Sequence, residues 1–316
     1  MNPYISSVFA LIFTYFSLKK SIPYLNKYLL DKPNKRSSHN KPKPRGGGII
    51  FVLIGSFFCI FYGNNIPIFC IPLSLIGILD DLYDLPASLR YLAQLITALV
   101  LIFIIFNSSF TGLNFPYWIY IFFYFFGVIF ITAIINFINF MDGIDGLVAG
   151  CFSIIFFSAS YINEFTVLPL VGSVIGFLIL NWHPSKLFMG DTGSTFLGAV
   201  LAGLIFKSGS LGNAISILII SSPLLLDSTM CLFRRFCFGH NIFKAHKLHL
   251  YQRLVQSGWS HAKVSMIYIF ATALLSIVYF IWGLSSLLLF SLLLLIIGIY
   301  LDLYIAVPFK ILNERN

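Results

Sequence analysis

Apolar residues in this chain run rather than alternate. Eleven stretches are expected to cross a bilayer, at about 3–18, 46–62, 66–79, 91–106, 116–137, 147–162, 165–181, 194–206, 212–232, 264–282 and 284–306. The weakest is 194–206. Short polar loops separate the runs, with no internal repeat and no stretch that reads as a soluble domain. The pattern predicts an all-α polytopic integral membrane helix bundle of about eleven spans, with ten as the alternative, forming a single transmembrane domain over 1–316.

Charge then fixes the sides. No Lys or Arg precedes Lys19, so the first run does not read as a signal peptide, and the N-terminus is expected outside. Alternating spans then place nineteen of the twenty Lys and Arg on the inner side, leaving Lys207 outside. Omitting 194–206 would strand outside the six basic residues that lie from Arg234 to Lys263. The C-terminus is therefore expected in the cytoplasm. Ten of the eleven acidic residues fall on that side too, Glu164 being the exception.

Composition agrees. Hydrophobic residues make up 59% and charged residues 10%, with mean hydropathy +0.92, which excludes a soluble enzyme, a disordered chain or a secreted disulfide scaffold. The net charge of +9 reports topology rather than nucleic-acid binding. The five cysteines form no CxxC pair, and neither structural zinc nor a disulfide framework is suggested.

Four inner loops carry candidate chemistry. Asp80-Asp81-Leu82-Tyr83-Asp84 ends the third span, with Arg90 opening the fourth. Adjacent carboxylates repel unless a cation sits between them. Such acids either mark the membrane boundary or build a site. Next, Asn136, Asn139, Asp142 and Asp145 recur every three residues, each advancing about 300° on a helix. A turn with Asp145 as N-cap explains the Asp-Gly pairs but not two Asn inside an apolar span. The third loop, Trp182-His183-Pro184 through Met189-Gly190-Asp191-Thr192-Gly193-Ser194, is either an ordinary helix cap or a turn that brings a carboxylate to a cation beside a phosphate. The fourth holds Arg234, Arg235, His240, Lys244, His246, His249, Arg253 and His261. His246 and His249 are spaced i, i+3 and expected on one helical face. A lipid-headgroup anchor accounts for the cations here but not for these two His. Gly46-Gly47-Gly48 follows Lys41, Lys43 and Arg45 as a further flexible cationic segment.

Acids for a divalent cation and cations for phosphates, gathered at one membrane face, suit phosphoryl-type transfer, with a lipid as one substrate. The motifs Lys43-Pro44-Arg45-Gly46-Gly47, Asp80-Asp81, Asn136-x-x-Asn139-x-x-Asp142-Gly-x-Asp145-Gly-Leu147, Met189-Gly-Asp191-Thr-Gly-Ser194 and His246-Lys-Leu-His249-Leu-Tyr-Gln-Arg253 occur in this order. In these the chain resembles the polyprenyl-phosphate N-acetylhexosamine-1-phosphate transferases of glycosyltransferase family 4 type, over nearly its whole length. The likeness is greatest to O-antigen-initiating members. The triple-histidine run of the peptidoglycan branch is absent.

The resemblance implies a Mg-dependent transferase, with Mn2+ as the alternative ion. It would attach N-acetylhexosamine-1-phosphate from a UDP-sugar to polyprenyl (undecaprenyl) phosphate and so initiate a lipopolysaccharide-type glycan. It further implies Asp191 with Asn139 as metal ligands, Asp80 at the lipid phosphate supported by Asp81, and Arg90 on phosphate. Asp142 and Asp145 would shape the nucleotide pocket, His246 and His249 would hold sugar or phosphate, and Arg45, Gly46, Asn136 and Arg253 would join in substrate binding. The expected place is the bacterial inner membrane with the site on its cytoplasmic face, and a homodimer is left open. The rival from another class is a transporter or carrier of a phosphorylated lipid or sugar, whose acids would line a path at mid-membrane. A catalytically dead homologue is the third reading.

Overall fold

The computed structural model describes residues 2–31, 42–109, 116–164, 166–241 and 246–309. Helix α1 (Pro3–Tyr28) starts on an Asn2 side chain that accepts the Tyr4 N–H, with Pro3 at the first position where a missing N–H costs nothing. A two-residue hairpin pairs β1 (Leu30–Asp31) with β2 (Lys43–Pro44). There follow α2 (Gly48–Ile60), α3 (Ile66–Tyr83), α4 (Ala87–Ser109), α5 (Tyr117–Met141), α6 (Leu147–Ile162) and α7 (Leu168–Asn181). Then come α8 (Gly190–Lys207), α9 (Leu211–Ile220), α10 (Ser222–Cys237), the short α11 (Leu250–Gln256) and α12 (His261–Tyr300), which ends in a π-helical turn, Leu301–Ile305. Helices α9 and α10 bend by 74° at their junction.

The long α12 is two antiparallel arms. Gly283 breaks it with φ 76° and ψ −167°, a conformation that side chains resist. Past the break the chain returns, since Ile267, Tyr268 and Ala271 line the same cavity as Leu294, Leu295 and Gly298.

Among the described residues, five helices are long and apolar enough to cross a membrane (α1, α3, α4, α5 and α12), or six if the bent α9–α10 pair is one span. The architecture is thus an all-α integral membrane bundle. Ten of the eleven expected runs fall on a helix or an arm of α12, while 212–232 covers two helices, α9 and α10, bent at Ser221; length and hydropathy single out fewer still. The reason is physical. Helices α2, α6 and α7 have 13, 16 and 14 residues, and short apolar helices read equally as core.

Helix α8 is that core. It is buried from Thr192 to Ile205, and α2, α3, α4 and α5 pack around it. The close approach is set by small residues: a Cβ on Gly77 of α3 would lie 2.6 Å from the Thr192 backbone. Where hydrophobic burial drives little, such tight packing is what joins helices. The outer faces are apolar and exposed, as at Ile121, Phe122, Phe270 and Leu289.

Candidate active site

The last turn of α3 delivers two acids to different tasks. Asp80 Oδ1 accepts the Leu85 N–H at 2.8 Å, closing the turn after the helix. Its Oδ2 meets Arg90 Nη1, from the first turn of α4, at 3.0 Å. Asp81 turns inward instead. Thr192 Oγ1 donates to its Oδ2 at 3.0 Å, and Arg45 stands 3.7 Å from Oδ1 while donating to the Asp81 carbonyl.

Asp191 enters from the first turn of α8. It caps nothing: the N-cap is Met189, without a side-chain bond, and Thr192 is spent on Asp81. The capping alternative for this motif therefore falls. Gly190 has φ +69°, and a Cβ there would sit 2.2 Å from Asp81 Oδ2, so any side chain would be strained and would displace that carboxylate. That turn aims the Asp191 carboxylate at Arg90 Nη1, 3.5 Å away, and one guanidinium thereby faces two acids.

The end of α5 supplies the amides. Asn136 Nδ2 donates to Gln94 Oε1 at 2.7 Å, and Asn139 Oδ1 accepts Ser194 Oγ–H at 2.7 Å. Gln94, Asn136 and Asn139, with Asp80, Arg90, Tyr91, Asp191, Thr195, His246, His249 and Gln252, line one cavity of about 300 Å3. Gln94, Tyr91 and Thr195 carried no motif in the sequence, and only their helical neighbours could have pointed to them; Gln252 lay within the histidine motif with no role assigned to it.

The histidines reach the cavity by another route than expected. Residues 246–249 are not helical; His249 is the N-cap of α11. The two rings stack with centroids 5.0 Å apart. Asp227 of α10 holds the turn by accepting the Leu250 and Tyr251 N–H groups at 2.7 and 3.0 Å and the Tyr268 hydroxyl at 2.7 Å. Burial first, then the charges of His249 and Arg235, push His246 down to about 3, so its imidazole is neutral at ordinary pH. Lys244 lies outside the described residues.

Asp142 and Asp145 do not line this cavity. Burial, with the Asp81 and Asp145 charges adding, pushes the Asp142 carboxyl up to about 7. The turn alternative, with Asp145 as N-cap, does not hold, since Gly146 is the N-cap of α6. The buried Asp145 carboxylate accepts Ser185 Oγ–H at 2.7 Å and N–H at 3.2 Å, pairs with His183 Nδ1 at 2.8 Å, and lies 3.4 Å from Lys43 Nζ. Burial alone would raise this group, but His261 nearby and the bonds from Ser185 and His183 hold it well below the usual carboxylate range. Lys43 also covers the Phe188 ring at 5.1 Å. Asn181, unremarked in the sequence, accepts the Gly146 N–H at 3.0 Å and fixes this second cluster.

Three expected binding residues sit elsewhere. Arg45 is spent on Asp81 and Asp84, and Gly46 turns the chain at φ +78° next to backbone bonds that tie Gly47 and Gly48 to Phe188 and Met189. Arg253 corrects the expectation most clearly. It is 2% exposed, donates to the Leu248 and Val307 carbonyls at 3.2 and 3.0 Å, and pairs with Asp302, so it fastens the chain end to α11. The lure was its charge; the partner lies 49 residues on.

The cavity can hold a hard cation. Asp191 offers a carboxylate free of capping duty, Asp80 a second, and Asn139 an amide oxygen. Such all-oxygen donors, few in number, suit Mg2+ shared with phosphate oxygens. Arg90 matches a phosphate with its planar fork.

Residues 65–209 match the family described as Glycosyl transferase family 4. The chain is 30% identical over 285 residues to a Bacillus subtilis (strain 168) protein named probable undecaprenyl-phosphate N-acetylglucosaminyl 1-phosphate transferase, covering 83% of this chain and 77% of the relative. It is 34% identical over 188 residues to a Thermotoga maritima undecaprenyl-phosphate alpha-N-acetylglucosaminyl 1-phosphate transferase, covering 58% and 60%. A phospho-N-acetylmuramoyl-pentapeptide-transferase of Staphylococcus saprophyticus is 29% identical over 310 residues, covering 84% and 94%.

Proposed function

The chain belongs to glycosyl transferase family 4, and from that premise we propose that it transfers N-acetylhexosamine-1-phosphate from a UDP-sugar to a polyprenyl phosphate. The observation that carries the reading is the convergence of Asp80, Asp191 and Arg90 with Asn139, His246 and His249 on one cavity.

In this reading an oxygen of the lipid phosphate attacks the β-phosphorus of the UDP-sugar. The new bond is lipid phosphate to β-phosphorus; the bond from that phosphorus to the bridging oxygen breaks, and UMP leaves with it. A phosphate monoester has lost most of its second proton near pH 7, so Asp80 need not act as a strong base. It positions the lipid phosphate through Arg90, whose guanidinium it holds at 3.0 Å. His246, neutral, and His249 face the sugar and its phosphate. Asp191 and Asn139 would hold Mg2+, or Mn2+, which would neutralise charge on the diphosphate. The Asp145 cluster, with Lys43, is the proposed nucleotide end.

An eleven-span arrangement, N-terminus outside and C-terminus cytoplasmic, is part of the proposal. It is supported by the Gly283 reversal and by the charge split. The site then opens at the cytoplasmic face of a bacterial inner membrane. The acids lie at helix ends, Asp80 closing α3 and Asp191 opening α8. A transporter would place them in mid-span. An N-acetylglucosamine-type donor for O-antigen-like synthesis is favoured over muramoyl-pentapeptide by the missing triple-histidine run.

The test is UMP release by the purified protein with undecaprenyl phosphate and a panel of UDP-N-acetylglucosamine, UDP-N-acetylgalactosamine and UDP-muramoyl-pentapeptide. Release with one of the first two is expected. Release with the third alone moves the protein to the peptidoglycan branch. A folded protein silent with all three overturns the proposal.

A further inference from the structure

Sequence spacing offered no thiol to the histidine loop, but the fold does. Cys231 of α10 is buried, 4% exposed, behind His246 and His249. Donor atoms of the three residues, one from each, all lie within 4.8 Å of one another. We propose that Cys231, His246 and His249 form a binding site for a borderline-soft divalent cation of the Zn2+ class, and that filling it shuts the transferase.

The geometry needs little change. An ion held tetrahedrally at roughly 2.0–2.3 Å would draw the donors together by a shift on the order of 1 Å. His249 Nδ1 is buried and has no hydrogen-bond partner. An Asp227 carboxylate oxygen stands 3.6 Å from that nitrogen, beyond hydrogen-bond range, so the nitrogen is not spent on it. His246 gives up little by turning, since the Leu248 N–H reaches its Nδ1 only at 3.4 Å. On binding, the thiol proton passes to water and the thiolate takes its place as ligand. Three protein donors leave a fourth position for water.

Donor chemistry sorts the ions. Asp191, Asp80 and Asn139 present only oxygen, which suits Mg2+; Cys231, His246 and His249 present sulfur and nitrogen, which suit Zn2+. His246 and His249 also line the cavity. An ion on them withdraws both imidazoles from substrate, and this second half of the proposal rests on the transferase reading. A rival cluster, Asp145 with His183 and His261, also brings donors within 4.8 Å. It carries less, because Asp145 is already bonded by Ser185 and His183 and faces the Lys43 ammonium at 3.4 Å.

The experiment uses the full chain in detergent. Bound zinc is counted after equilibration, and Co2+ serves as the spectroscopic probe. We expect one zinc per chain and a cobalt–thiolate charge-transfer band in the near ultraviolet. Both are lost in Cys231→Ser and kept in Cys237→Ser, which removes the exposed thiol. Zinc should inhibit UMP release in the wild type and at least 10-fold less in Cys231→Ser, whose zinc-free rate is unchanged. Zinc uptake and a cobalt band that persist in Cys231→Ser, or zinc lost in His261→Ala instead, overturn the site. Zinc bound through Cys231 without inhibition overturns the shut-off. If the wild type releases no UMP, the transferase reading fails, and the cobalt band still decides the site.

Discussion

Arg90 is where charge, geometry and function can be separated by one substitution. Its Nη1 lies 3.0 Å from Asp80 and 3.5 Å from Asp191. At an effective dielectric of about 20, each pair attracts by roughly 5 kcal/mol before solvation is counted. The side chain is 42% exposed, so water returns most of this, and exposed pairs net about 0–1 kcal/mol each. Arg90→Ala should therefore lower the melting temperature by only about 2–4 °C per kcal/mol lost. Turnover is a different matter. Charge-assisted bonds to a phosphate are worth about 1.5–3 kcal/mol, which is roughly 10- to 150-fold in rate. Arg90→Lys should recover part of it, keeping the charge but not the planar fork. The assay is UMP release beside thermal unfolding of the same detergent-purified samples. Wild-type turnover in Arg90→Ala refutes a phosphate role. A loss explained by unfolding at the assay temperature refutes it equally.

Other expectations follow from the same geometry. Asp191→Asn keeps shape while removing charge, so UMP release should fall by a factor on the order of 100 and wild-type release should vanish with chelator; full activity in a folded variant would send the metal site elsewhere. Asp145→Asn should lower the melting temperature at pH 7, costing roughly 1.5–3 kcal/mol as charged bonds become neutral ones. Because the folded-state value of Asp145 is depressed, this stabilisation is complete above the ordinary carboxylate value near ~3.9 and is lost as pH falls below it. Equal melting of wild type and variant at pH 7 would contradict that role. Reporter fusions at Asn64 and Gly209 should read outside and at Lys244 inside; an outside signal at Lys244 breaks the shared-site topology.

Much of the site was legible because its chemistry is local in sequence. Asp80, Asn136, Asn139 and Asp191 declared themselves as polar groups that an apolar helix end does not tolerate without cause. What stayed hidden was pairing across the fold. Arg253 looked like a substrate binder because Asp302, which neutralises it, arrives only with the π-helical turn that ends α12. Asp227 carried no motif, since the N–H groups it holds belong to α11, at Leu250 and Tyr251. Cys231 looked like one more apolar residue because α10 must bend 74° from α9 before the thiol meets the histidines. Helix number was obscured for a related reason: a helix wrapped by other helices needs neither the length nor the hydropathy of one facing lipid.

The contact between α3 and the start of α8 bears on how genetic screens of this protein will read. Gly77 has no chemistry to offer, yet any side chain there would press on the Thr192 backbone at 2.6 Å and tilt the turn that aims Asp191. A saturation scan scored by growth would therefore rank Gly77 beside Asp191, and the two would be indistinguishable by fitness. They part only when growth temperature is varied. Low growth temperature can rescue a displaced helix, since more molecules then settle correctly, whereas a missing carboxylate slows every molecule alike at any temperature.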